Sequence, residues 1–219
     1  MEVEVISHTP EPEALVARAA ALCYSKEDKK PQKEKVKPFM EKLLKMGHIS
    51  PFEHISFTFR ISGVSRVLSH QLMRHRIASY SQQSQRYVFF DKASYVIPES
   101  IKDKGMDKEF SKKIEEMVDF YRFLVKQGIP KEDARYILPS SFTTSLIMTM
   151  NARELIHFFR LRCCNRAQWE IRDMADRMLF LVKNIAPNIF FNSGPPCIIG
   201  PCPEGELSCG KPRKSEIYS

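Results

Sequence analysis

The sequence predicts an α+β protein. Short strand-like and helix-like segments are mixed along the chain without a steady βαβ alternation, and no internal repeat is present. The apolar fraction of 43% and charged fraction of 27% are those of an ordinary globular protein. A chain of 219 residues buries a sizeable core without staples. No segment reads as a linker, so one domain spanning 1–219 is expected, with a Pro/Gly/Cys-rich tail at about 192–219.

The elements follow in order. "EVEVI" alternates like a short strand, and Leu15, Val16, Ala19, Ala20 and Cys23 recur at helical spacing behind a proline. Residues 26–35 are lysine-rich and read as a solvated loop. Val36, Phe39, Met40, Leu43 and Leu44 form the stripe of a second helix, which Gly47 is suited to end. In "HISFTFRI", Ile55, Phe57, Phe59 and Ile61 alternate with polar residues and predict a strand with one buried face, ended by Gly63. The apolar period then predicts a helix over 65–76, with Gln71, Arg74 and His75 on its polar face. "SYSQQS" reads as a loop and "RYVFF" as a strand. A long amphipathic helix is expected over 108–127, a strand in "FTTSLIMTM", and a helix from the N-cap Asn151, with Glu154 at the capping-box position, through Arg162. A last helix spans roughly 166–184, and five prolines keep the tail irregular.

The net charge of +8 suits nucleic acid, an anionic membrane or phosphorylated small molecules equally. No apolar run reaches the roughly 18 residues of a membrane span. The acidic N-terminus lacks the basic-then-apolar form of a signal peptide, so a cytoplasmic protein with six reduced cysteines is expected. A nucleic-acid-binding module would carry its charge as one long stripe with stacking aromatics, whereas here lysines and arginines occupy separate segments. Neither nucleic acid nor membrane is expected as a partner.

The chemistry concentrates in "RHRIASYSQQSQRY", residues 74–87. From His54 to Phe90 there are five arginines and three histidines but no lysine, aspartate or glutamate. Arginine used without lysine suits a planar anion bound by paired hydrogen bonds, with phosphate first, and hydroxyls such as Ser84 complete such a donor set. The alternative is a structural cluster neutralised by acids from elsewhere in the chain.

"RHRIASYSQQS" resembles the signature of the flavin-dependent thymidylate synthases. "HISPFEHISFTF", "ARYILP", "NARELIHFF" and "LRCCNRAQWEI" match in order, so the resemblance covers about residues 48–172. It implies a family-specific α+β fold with helices around a central sheet, and a homotetramer binding FAD at sites shared between subunits. It further implies methylation of deoxyuridine monophosphate (dUMP) at uracil carbon 5. Methylenetetrahydrofolate would donate the carbon and NADPH the reducing equivalents. The resemblance assigns FAD to Ser50, Arg74, His75, Arg76, Gln82, Asn151, Arg153 and His157, with His48 nearby. It assigns dUMP to Gln71, Arg74, Gln82, Ser84, Gln85, Arg86, Arg135 and Arg162. Where some members carry Asn and Glu, this chain has Ser81 and Gln82, and an amide cannot serve as a base.

Arg162 is the residue implied to favour ionisation at uracil N3. A permanently charged guanidinium acts there electrostatically, not as a proton donor. Spacing alone favours the other reading, in which Arg162 is a charge at a helix C-terminus. Cys163 adjoins it, but hydride transfer from a flavin needs no enzyme nucleophile, so Cys163 reads as a small hydrophobe. No His-x-x-x-His or Cys-x-x-Cys spacing supports a catalytic metal. Cys197, Cys202 and Cys209 either share a metal, one ligand short of a closed site, or order the tail.

Overall fold

The structure is a computed structural model that describes residues 1–23, 25 and 33–214. The lysine-rich loop expected at 26–35 lies largely outside these described residues. Strands β1 (Glu2–His8), β2 (Ser56–Ser65), β3 (Ala78–Gln82) and β4 (Thr143–Asn151) form one sheet in the order β1-β2-β4-β3. The helices are α1 (Pro12–Leu22), α2 (Lys33–Lys45), α3 (Arg66–Leu72), α4 (Glu99–Lys102), α5 (Asp107–Lys126), α6 (Lys131–Ala134), α7 (Ala152–Arg162), α8 (Trp169–Ile185) and α9 (Pro187–Phe190). The α+β class is as expected.

The pleat explains β2. Phe57, Phe59 and Ile61 are fully buried on one face, while Thr58 on the other bonds Thr149 of β4 across 2.9 Å. Ala152 N–H donates to the Ile55 carbonyl at 3.0 Å, so higher numbers on β4 meet lower numbers on β2 and the pair is antiparallel. Gly63 does not end β2. It takes a left-handed φ of 68°, and the strand continues to Ser65, whose side chain caps α3 by accepting from Leu68 N–H at 3.1 Å.

Two compact units make up the chain. One comprises Met1–Glu2, Ile61–Arg74 and Ser81–Ile147; the other comprises the described residues of Val3–Arg60, His75–Tyr80 and Met148–Ser219. In the first, Ile114 and Val118 of α5 and Phe142 form a core onto which Phe90, Tyr95 and Phe110 pack. In the second, the Phe57, Phe159 and Phe190 rings meet edge to face, with centroids 5.6 Å apart for Phe57–Phe190 and 6.0 Å for Phe159–Phe190. Asn151 caps α7 as expected, accepting from Glu154 N–H at 2.9 Å.

Three further expectations need correction. The helix expected over 65–76 stops at Leu72, so Gln71, Arg74 and His75 do not share a helical face. "SYSQQS" is not a loop throughout, because residues 78–82 are β3, and just beyond it Gln83 N–H donates to the Ser145 carbonyl of β4 at 2.9 Å. "RYVFF" is not a strand. Ser84 closes a turn there, its hydroxyl accepting from Arg86 N–H at 3.1 Å and its carbonyl from Val88 N–H at 3.1 Å. Phe89 and Phe90 are held instead by the Tyr121 ring.

Candidate functional site

The candidate residues fall into two groups, one in each compact unit. In the unit containing α5, the turn after β3 carries Ser84, Gln85 and Arg86. The Arg86 guanidinium meets the Glu132 carboxylate at 3.0 Å, and both side chains are about half exposed, at 52% and 49%. Its neighbour Arg135 donates from Nε to the Glu132 carbonyl at 3.0 Å. Gln82 donates to the Thr144 hydroxyl at 3.3 Å. Gln71 is half-buried on α3, and Arg74 is exposed just past it.

Arg66 belongs to this group, although the sequence did not single it out. Its guanidinium donates to the Gln83 carbonyl at 2.9 Å, while its buried Nε has no hydrogen-bond partner. Burial, and secondarily the Arg135 charge, lower its pKa from the ordinary arginine value. Two like charges near one turn, with an orphaned donor, form a place that a phosphate would stabilise. The absence of acids around Arg66 in the sequence was the available signal.

The second unit holds the other group. His75 is only 5% exposed, while Arg74 and Arg76 on either side are exposed. The two arginines therefore flank a buried histidine on non-helical chain. His75 Nδ1 lies 3.2 Å from Glu154 Oε1, and Arg162 Nε donates to His75 Nε2 at 3.0 Å. The Phe158 ring meets His75 edge to face at 4.9 Å, and the His157 ring lies 6.2 Å away. Burial lowers the His75 pKa most; the Arg162 and His157 charges add to that, and Glu154 opposes it. Tyr80 donates to the His75 carbonyl at 2.8 Å, and burial followed by the Glu154 charge pushes its own pKa up to about 12.

Two of the cavities in this unit are lined by candidate residues. One of about 350 Å³ is lined by Gly47, His48, Ser50 and Arg153, among others; Arg153 itself pairs with the Glu53 carboxylate. The other, of about 770 Å³, is lined by Arg160, Arg162 and Arg166 and roofed by tail residues from Pro196 to Pro212. Asn151 spends its side-chain oxygen on capping, and His157 is exposed on α7.

Acids from distant segments thus do reach the acid-free stretch: Glu4 meets Arg60, Glu132 meets Arg86, and Glu154 meets His75. Among the described residues no acid pairs with Arg74 or Arg76. Cys163 is fully buried, as a core residue would be. Cys197, Cys202 and Cys209 all line the larger cavity, but their sulfurs do not converge to metal-ligand spacing. Among the described residues one group does have such spacing, namely His75, Glu154 and His157. There the guanidinium already bonded to Nε2 opposes a second cation. No helix among the described residues is long and apolar enough to cross a membrane.

The sequence profile of the thymidylate synthase complementing protein family matches residues 4–188, a span holding every residue assigned above to FAD or dUMP. A flavin-dependent thymidylate synthase of Geobacter sulfurreducens is 53% identical, over 96% of this chain and 94% of its own length. One of Clostridium tetani is 48% identical over the same shares, and one of Pyrococcus abyssi is 42% identical over 94% of this chain and 91% of its own. Matched by the profile through both groups of arginines and by these relatives nearly end to end, the chain belongs to the thymidylate synthase complementing protein family, that of the flavin-dependent thymidylate synthases.

Proposed function

We propose that the protein converts dUMP to dTMP, using FAD as cofactor, methylenetetrahydrofolate as carbon donor and NADPH as reductant. The family match across nearly the whole chain carries this reading. We further infer a cytoplasmic homotetramer of single-domain subunits, with sites shared between subunits.

The donor sets suit the two ligands. A nucleotide phosphate carries nearly two negative charges, and Arg86, Arg135 and the Ser84 hydroxyl offer it guanidinium and hydroxyl donors from one turn and one neighbouring helix. Gln71, Arg74, Gln82 and Gln85 complete that set. The Arg86–Glu132 pair is a half-exposed ion pair of the kind worth about 0–1 kcal/mol, so an arriving dianion readily replaces it. For FAD, exposed Arg74, Arg76 and Arg153 offer charge to a pyrophosphate, and Ser50, Gln82, Asn151 and His157 offer hydrogen bonds to the remainder. When bound, the flavin supplies hydride to the pyrimidine. Arg162 stabilises the negative charge that develops on the uracil ring, which makes carbon 5 nucleophilic. Because its Nε edge is committed to His75, it meets the ring through its Nη groups.

One preparation tests this reading. Purified protein should show the visible absorbance of oxidised flavin, lose it with NADPH, and form dTMP when dUMP and methylenetetrahydrofolate are supplied. Colourless protein that makes no dTMP after reconstitution with FAD overturns it.

A further inference from the structure

The hydrogen bonds around His75 fix its tautomer. Arginine cannot be deprotonated in a protein, so Arg162 Nε is a donor and His75 Nε2, 3.0 Å away, must be the acceptor. The imidazole proton then sits on Nδ1 and points to Glu154 Oε1 at 3.2 Å. The Phe158 ring holds the imidazole plane, and the Tyr80 hydroxyl holds its backbone carbonyl. Both ring nitrogens are therefore engaged inside the chain, and any contact between residue 75 and a flavin is not made through them.

We propose that His75 is a positioning residue: as the neutral Nδ1–H tautomer it passes the orientation imposed by Glu154 to the Nε edge of Arg162, and so sets where that guanidinium lies against the uracil. This rests on the role given to Arg162 above. The physical need is clear. An arginine side chain carries about 2 kcal/mol of rotamer entropy, and charge stabilisation requires the donor to be in place before the reaction. A neutral acceptor at Nε2 removes that freedom. An imidazolium would instead present N–H to N–H and place two cations in contact.

Protonating His75 should therefore release Arg162. The charged or titratable groups facing His75 are Glu154, Arg162 and His157. The first favours the proton, and the other two and burial oppose it, so release is expected only below the ordinary histidine range.

The test compares His75→Ala with His75→Gln, whose amide keeps one donor and one acceptor. In flavin-loaded enzyme, His75→Ala should lower kcat about 10- to 100-fold, the scale of a misplaced catalytic group, while flavin content and the dUMP KM change less than about threefold. His75→Gln should recover most of that loss. Nitrogen-15 NMR of ligand-free protein, selectively labelled at histidine and arginine, should show an unprotonated Nε2 on His75 at neutral pH, moving on Arg162→Ala. A protonated Nε2, a His75→Gln variant as slow as His75→Ala, or loss of flavin from His75→Ala would each overturn the proposal. If the wild type makes no dTMP, the functional reading fails, yet the NMR measurement still decides whether the Glu154–His75–Arg162 chain exists. Should His75→Ala not fold, His75→Gln and the NMR shifts carry the decision.

Discussion

Arg86 and Arg162 are both arginines held by a neighbour, but in opposite ways. Arg86 sits half exposed, paired with a half-exposed carboxylate on a turn. Arg162 is half-buried and bonded through Nε to a histidine that is itself 5% exposed and anchored to Glu154. The first arrangement is exchangeable: solvent screens it, and a ligand that brings more charge displaces the acid at little cost. The second is committed, because breaking it strands buried polar groups, at about 1–3 kcal/mol each. Exchangeable pairs suit binding of a dianion. Committed ones suit holding a charge where a transition state will need it. In the roles proposed for them, the same residue type serves two ends, and its surroundings decide which.

The contrast is sharpest in kinetics. Arg162→Ala should lower kcat by about 10²–10³, the loss seen when one electrostatic donor is removed, with dUMP affinity little changed. An equal effect on affinity would merge the two groups into one. Next in size, the double variant Arg86→Ala and Arg135→Ala should weaken dUMP about 10- to 100-fold by calorimetry, as expected for lost charge-assisted hydrogen bonds, with flavin content preserved. Loss of flavin there would break the comparison from the other side.

Acidity probes the committed group. The folded pKa of His75 lies below the unfolded value of about 6.5, so above that pH the residue is neutral in both states. As pH falls below about 6.5, the unfolded chain takes up the proton first, and stability declines until the depressed folded pKa is reached. Urea midpoints measured downward from neutral pH should show this decline, and His75→Gln should lessen it. The smallest expected change concerns the exchangeable group. Glu132→Gln removes the acid that competes for Arg86 and should tighten dUMP about two- to threefold, consistent with an ion pair worth under 1 kcal/mol. Weaker binding would mean that Glu132 orders the turn instead of competing for it.

What the sequence revealed follows from the range of each interaction. β2 was legible because one buried face writes itself as alternation, and Phe57, Phe59 and Ile61 are indeed fully buried. Asn151 was legible as a cap because its partner is three residues on. β3 was not, because its partly buried ASYSQ run has no apolar period to reveal a ladder partner in β4. The helix was extended past Leu72 because Gln71, Arg74 and His75 keep helical spacing. What draws His75 inward is Glu154, 79 residues away, which local pattern cannot register. Glu154 itself was read only as a capping residue. The acid-free, arginine-rich composition of the stretch was visible. Which acids would meet it was not, because Glu4, Glu132 and Glu154 all lie outside it.

The tail gives one last lesson. Arg213 grips Asp176 with two hydrogen bonds, at 3.0 and 2.8 Å, and donates to the Cys163 carbonyl at 2.8 Å. The Asn165 amide donates to the Lys211 carbonyl at 2.7 Å. A stretch rich in proline and glycine is thereby latched down as a lid over the space beside Arg162. Cutting the latch with Arg213→Ala would loosen this covering and let water come nearer the guanidinium, weakening its field. The Pro196–Pro212 stretch thus belongs to the dielectric around Arg162.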